Sequence, residues 1–230
     1  MATPSLLLLL ADGRFPAGAH AHSGGLEAAV AAGRVTDLSS LEAFLVGRLA
    51  TAGLVGAAFA AAAHRAAASA ESAARSAALA RLDAELDART AAPALRAVSR
   101  RQGRALLRAG RTIWPDAPFA DLPTTPGGAH QPLVLGLLCA AAGLSRVETA
   151  TIAAYGTVTG AASAGVRLLG LDPYRVQALL VGLADACDDT AADAARAADD
   201  PPERLPAAAA PLADIHAEIH ATWEVRLFAS

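Results

Sequence analysis

Along nearly its whole length this sequence repeats apolar residues at intervals of three and four, and no segment alternates convincingly with a period of two. That spacing lines one face of a helix, whereas a half-buried strand needs alternation. The fold class that follows is all-α. Residues 49–63, LATAGLVGAAFAAAA, are the extreme case. Hydrophobic residues make up 54% of the chain and aromatics only 4%, with alanine the main apolar residue. Alanine loses least on entering a helix, and its small side chain lets helices approach closely. The 230 residues suit one domain. A core of this size buries roughly 70% of the surface that the unfolded chain exposes. The expected architecture is one domain over 1–230, a bundle of about eight to ten helices.

Local signals place the helices. Ser39 with Glu42, and Ser145 with Glu148, have capping-box spacing. Asp172 before Pro173 reads as an N-cap with proline at the first helical position, and Pro93 and Pro132 read as two further first positions. Gly33 and Gly143 read as stops. The resulting helices cover 24–32, a long stretch at 40–69 that is either continuous or broken, then 71–88, 93–112, 131–142, 146–169, 173–188, 190–198 and 212–222. Proline-rich loops occupy 114–128 and 199–211. Within 146–169, Gly156, Gly160 and Gly165 accompany Ala161, Ala162 and Ala164. Such a small-residue face suits close packing, either in the core or against a second subunit.

The leucine run SLLLLLA resembles a leader but lacks a preceding basic residue, and ADG follows it. Residues 49–63 fall short of the roughly 20 residues of a membrane span, and Arg48 and Arg65 bracket them. Cys139 and Cys187 stand in apolar helical contexts outside any CxxC pair, as in a reduced cytoplasmic protein. The net charge of −3 does not suggest a dedicated nucleic-acid binder.

Candidate chemistry is sparse. In HAEIH, His216 and His220 share a helical face, but Glu218 sits about 200° around the helix from His216, so the zincin arrangement is absent. His20 and His22 make a weak metal loop at best. The chain has no lysine, no phosphate-binding glycine loop and no nucleophile elbow. No catalytic residue stands out. Arg96, Arg100, Arg104, Arg108 and Arg111, with Arg101 beside them, recur every three or four residues in a segment that has no acid between Pro93 and Pro115. Like charges so spaced cost about 0.2–0.5 kcal/mol per pair in an isolated helix. The plainest counter-charge is internal, the acidic stretch 185–200; nucleic acid and an acidic protein are the external options.

Four blocks in order resemble the UreF family. The first holds Leu7, Leu8, Leu10, Pro16, Gly18, His22, Ser23, Gly25, Leu26 and Glu27. The second is Ser99, Gly103, Arg104 and Leu107, followed by His130 and Gly136. The third is Val166, Arg167 and Leu168 with Gln177. The fourth is the ending Pro211, Leu212, Asp214, Ile215, His220, Arg226, Leu227, Phe228 and Ser230. The sequence departs from the family pattern at Ala19, His20, Ala221 and the Gly-Leu-Asp-Pro at 170–173.

The resemblance implies an all-α fold, usually a homodimer, and a non-enzymatic role in the cytoplasm. The implied partners are UreD (also called UreH), the GTPase UreG and apo-urease. The implied task is to link UreD to UreG, modulate the GTP cycle and assist nickel insertion. No cofactor is tightly bound; nickel contact is transient, with His130, His216 and His220 as weak candidates. The expected partner-binding residues are Pro16, Gly18, His22, Ser23, Gly25, Glu27, Arg167, Gln177, His220, Arg226, Leu227 and Phe228. They belong mainly to an N-terminal docking segment, 1–27, and a C-terminal tail, 211–230. Phe228 and Leu227 are expected as apolar anchors in a partner pocket, Arg226 as a donor fork, and Glu27 as an acid in a first helical turn that could face a basic group on UreG. The plain alternatives are packing of Phe228 and Leu227 on their own chain, Glu27 as only a cap-turn acid, and structural roles for Arg167 and Gln177. Without the resemblance, the residues indicate only a helical binding or regulatory module.

Overall fold

The computed structural model describes residues 3–16 and 18–229, and those residues form helices and loops with no strand. Residues 1, 2 and 17 of the expected docking segment, and Ser230 of the expected ending, lie outside the described residues. The helices are α1 (Pro4–Ala11), α2 (Leu26–Ala31), α3 (Leu38–Arg48), α4 (Leu54–Ala67), α5 (Ser72–Arg89), α6 (Pro93–Ile113), α7 (Gln131–Ala141), α8 (Arg146–Leu169), α9 (Pro173–Gly182), α10 (Ala184–Ala197) and α11 (Pro211–Ala221). A π turn at Leu49–Gly53 joins α3 to α4, so the expected stretch 40–69 is one helical body with a local widening, not a break.

Helix α4 is the axis of the bundle. Val55 and every residue from Ala57 to Ala63 are buried, and α5, α7, α8 and α10 pack around the helix. Stretch Leu38–Ala67 is long and apolar enough to cross a membrane, yet its alanines at 57, 58 and 60–63 are buried against other helices, while Ala43, Ala50 and Ala52 are exposed. Small residues set the spacing. A Cβ on Gly136 of α7 would lie 2.4 Å from the Ala60 carbonyl oxygen of α4. A Cβ on Gly103 of α6 would lie 2.2 Å from the Ala129 carbonyl oxygen before α7. Two apolar clusters result. The larger surrounds α4, α5 and α7, with Phe59, Leu79, Leu133 and Leu137 fully buried. The smaller gathers α2, α3, α8 and α9 around Leu26, Leu41, Leu45, Val158 and Val176, and it includes Phe228 of the tail. On α8, Ala161, Ala162, Ala164 and Gly165 are buried in this core, whereas Cβ positions at Gly156 and Gly160 meet no neighbour.

The Ser145–Glu148 box forms with both reciprocal bonds, 3.2 and 2.7 Å, and Asp172 accepts from the Tyr174 N–H at 2.9 Å. The other box differs from expectation. Asp37 is the cap and Ser40 its partner, at 2.8 and 3.0 Å, because the helix begins at Leu38, ahead of Ser39. Residues 4–11 form α1, packed on α8, where a leucine run alone gives no helical phase. The break expected near residue 189 falls at Leu183. The two proline-rich loops are pinned: Asp121 holds Arg75 at 2.5 Å and Ser72 at 2.6 Å, and Phe119 and Leu205 are buried.

The arginine-rich face is not neutralised by 185–200. Its acids come from α5: Arg100 meets Asp83 at 3.0 Å and Asp87 at 2.8 Å, and it also donates to the Gly128 carbonyl at 2.5 Å. Arg96 donates to the Thr90 and Ala91 carbonyls. Within 185–200, Asp199 pairs with Arg146 and Asp193 with Arg196.

Candidate docking site at the joined chain ends

The two ends of the chain meet, and a single carboxylate holds them together. Gly24 and Gly25 take φ of +64° and +89°, which turns the chain sharply into α2. The Ser23 hydroxyl accepts the Glu27 N–H at 3.2 Å. Glu27 is thereby set in the first turn of α2, beneath the tail, and is only 8% exposed. Its oxygens accept three hydrogen bonds from the C-terminal region: from the Leu227 N–H at 2.8 Å, the Phe228 N–H at 3.0 Å and His220 Nε2 at 2.9 Å. The Ala229 N–H donates to the Ala21 carbonyl at 2.7 Å. Burial pushes the Glu27 carboxyl up. The Leu227 N–H, His220 and the Phe228 N–H more than offset this and hold it below its usual range.

Three of the expected partner-binding residues, Glu27, Phe228 and His220, point into their own chain. The Glu27 carboxylate is turned inward: it is buried, and three of its roughly four acceptor positions are taken by donors of its own chain. Phe228 is 5% exposed and packs into the smaller core, with the Arg167 guanidinium 4.9 Å above its ring. It anchors the tail to its own chain. His220, 4% exposed, is likewise internal, with its ring 4.8 Å from that of Trp223.

Other expected contact residues remain on the surface. Pro16, Arg167, Gln177 and Arg226 are exposed, and Leu227 is 65% exposed. Gly18 has φ of +74° with open space around it, so its role is conformational. Ser23 is buried and Gly25 half-buried. His22 is half-buried too, and burial, the Arg101 charge and His20 press its imidazole down to about 4. It is therefore neutral at pH 7, and the adjacent arginine disfavours a cation between His20 and His22.

The metal candidates do not converge. His130 is fully buried at the start of α7, its ring bonded at Nε2 to Asp87 (2.8 Å) and at Nδ1 to Ser99 (3.0 Å). Its backbone N–H donates to Asp83 at 3.2 Å. It ties α5, α6 and α7 together, and an ion contact would require that network to open. His220 has Nε2 committed to Glu27, and His216 stands half-buried on α11. Among the described residues no three His, Cys, Asp or Glu side chains form a metal-binding group.

One feature escaped the sequence reading. On α11, Leu212, Ile215 and Ile219 are 43%, 56% and 50% exposed and share one face, while His220 points into the protein. Exposed Val225 and Leu227 follow in the tail. The signal lay in the i, i+3, i+7 spacing of these residues, which are out of phase with the buried His220. Next to the joined ends, an open and mainly apolar cavity of about 1820 Å³ is lined by residues including Leu7, His22, Phe44, Leu106, Thr159 and Phe228. It exceeds the roughly 300–1,000 Å³ of small-molecule sites, so its size suits a segment of protein.

The UreF family model matches residues 35–184. The urease accessory protein UreF of Mycobacterium sp. strain JLS is 46% identical over 230 residues, covering all of both chains. That of Mycolicibacterium vanbaalenii is 44% identical, again over the full length of both. That of Mycobacterium tuberculosis is 43% identical over 194 residues, 84% of this chain and 86% of the relative. With a full-length match at this identity and the family model spanning the helical core, the chain belongs to the UreF family.

Proposed function

We propose that this chain is a non-catalytic accessory protein of urease maturation, working as a rigid helical adaptor. The observation that carries the reading is the apolar outer face of α11, Leu212, Ile215 and Ile219, continuing into Val225 and Leu227 of a tail fixed by Glu27. Exposed apolar side chains aligned on a preformed helix are a docking feature, and their pre-ordering reduces the entropy lost on binding. The partner for this face is UreD. The GTPase UreG joins the same assembly, where the chain modulates its GTP cycle, and apo-urease receives the nickel. The working unit is a cytoplasmic homodimer. Nickel passes as cargo and meets no tight ligand set on this chain.

The roles divide between inside and outside. Glu27, His220, Arg167 and Phe228 hold the tail, and Leu227, Arg226 and the α11 stripe meet the partner. The variant Ile215→Ser/Ile219→Ser tests this. Both residues are half-exposed, so stability should change by less than about 0.5 kcal/mol. Co-purification with UreD and nickel-dependent urease activation in co-expressing cells should both drop at least about tenfold, as expected for a lost central cluster. Unchanged UreD capture by a folded variant would remove the reading.

A further inference from the structure

We propose that the outer face of α6 is a separate docking strip for an acidic helix of a protein partner. Arg101, Arg104, Arg108 and Arg111 are all exposed, and at 100° per residue they fall within about 80° of one another around the helix. Gly103, Leu106 and Gly110 occupy the opposite, buried face. The side chains of Arg101, Arg108 and Arg111 make no hydrogen bond or ion pair among the described residues. Arg104 donates only to the Gly127 carbonyl. The other two arginines of the helix, Arg96 and Arg100, are satisfied internally. The chain thus separates arginines that build the fold from arginines that face solvent as a row.

One member of the row, Arg104, is also held in place. The turn at Gly127 and Gly128, with φ of +90° and +86°, lies against Arg100 and Arg104, and a Cβ on Gly128 would sit 2.9 Å from Arg104 Cγ. No acid occurs anywhere in α6 to offset the like charges at three- and four-residue spacing. Carboxylates spaced three, four and three residues apart on a facing helix match the guanidinium forks one to one.

Two other occupants fit less well. Nucleic acid needs a basic protein or stacking aromatics, but the chain carries −3 and α6 has no aromatic residue. A second copy offers Asp185, Asp189 and Asp193 on α10, but α6 of one copy on α10 of the next is a head-to-tail contact that propagates unless the rotation closes a ring.

The test uses the full chain and a labelled synthetic 18-residue alanine-based helix carrying four glutamates at the matching spacing. Anisotropy is read in 50 and 300 mM NaCl. The wild type should bind the peptide at least about tenfold more tightly in the lower salt, as exposed ion pairs require. Replacing all four arginines with glutamine should weaken binding at least about tenfold with little change in the melting midpoint, since the like-charge repulsion removed and the Arg104–Gly127 bond lost act in opposite directions. If that variant fails to fold, Arg101→Gln/Arg108→Gln, which breaks no internal bond, should still weaken binding several-fold. Three results would each overturn the proposal: binding unchanged in a folded variant, a 16-base-pair DNA duplex binding more tightly than the peptide, or strip-dependent self-association of the chain at low salt.

Discussion

Removing the Glu27 carboxylate should release residues 222–229. Glu27→Ala strands three donors, the buried Phe228 N–H and His220 and the part-buried Leu227 N–H, and each hydrogen bond to a charged group contributes about 1.5–3 kcal/mol. The expected result is fast amide exchange and protease cleavage in the tail, a loss of about 3 kcal/mol or more, and an intact helical spectrum. Acid should act in the same direction. The folded carboxyl lies below its usual 4.5, so its contribution is complete above that value and fades as the pH falls through the lowered one. At this scale the sequence marked Glu27 and Phe228 but left open whether they face a partner or their own chain. The residues that satisfy them lie about 200 positions away in the chain, and no spacing rule reaches that far.

At the scale of elements, glycines without a turn to make carry the packing. Gly136→Ala would force a methyl group to within 2.4 Å of the Ala60 carbonyl oxygen and 2.7 Å of the Ala63 side chain. Helices α4 and α7 would have to separate along the largest contact in the bundle, costing about 3 kcal/mol or more, with a drop in melting midpoint as the readout. A Gly56→Ala control meets no neighbour and should be neutral or stabilising by a few tenths of a kcal/mol to about 1 kcal/mol. Most elements were legible from periodicity and caps, because Ser145 with Glu148 and Asp172 with Pro173 act locally. The cap at Asp37 and the helix α1 were not: several caps compete within TDLSS, and a run of identical leucines carries no phase.

For the whole molecule, three imidazoles should shape the acid response. His22, His64 and His130 are held below their usual 6.5, each chiefly by burial. His64 donates from Nε2 to the Leu144 carbonyl at 2.7 Å and keeps a buried, unpartnered Nδ1. For the three depressed groups the unfolded chain binds protons that the folded one refuses, so stability is complete above pH 6.5 and falls as pH drops toward the folded values, about 4 for His22. The loss should approach about 1.4 kcal/mol per pH unit for each imidazole fully in that window. Urea midpoints taken between pH 7.5 and 4.5 should therefore fall monotonically, and His64→Gln should flatten the slope.

What the sequence by itself determined was the class of fold and the family: alanine-rich three- and four-residue spacing admits only helices, and ordered blocks of residues survive without knowledge of their contacts. What only the tertiary structure decided was which way each marked residue faces. Burial of Phe228, exposure of Leu227 beside it, and the pairing of Arg100 with α5, not with 185–200, depend on helix crossings set by close small-residue contacts such as Gly136 against Ala60. Those crossings are collective: each follows from the volumes of all the neighbouring side chains, and no local stretch of sequence contains them.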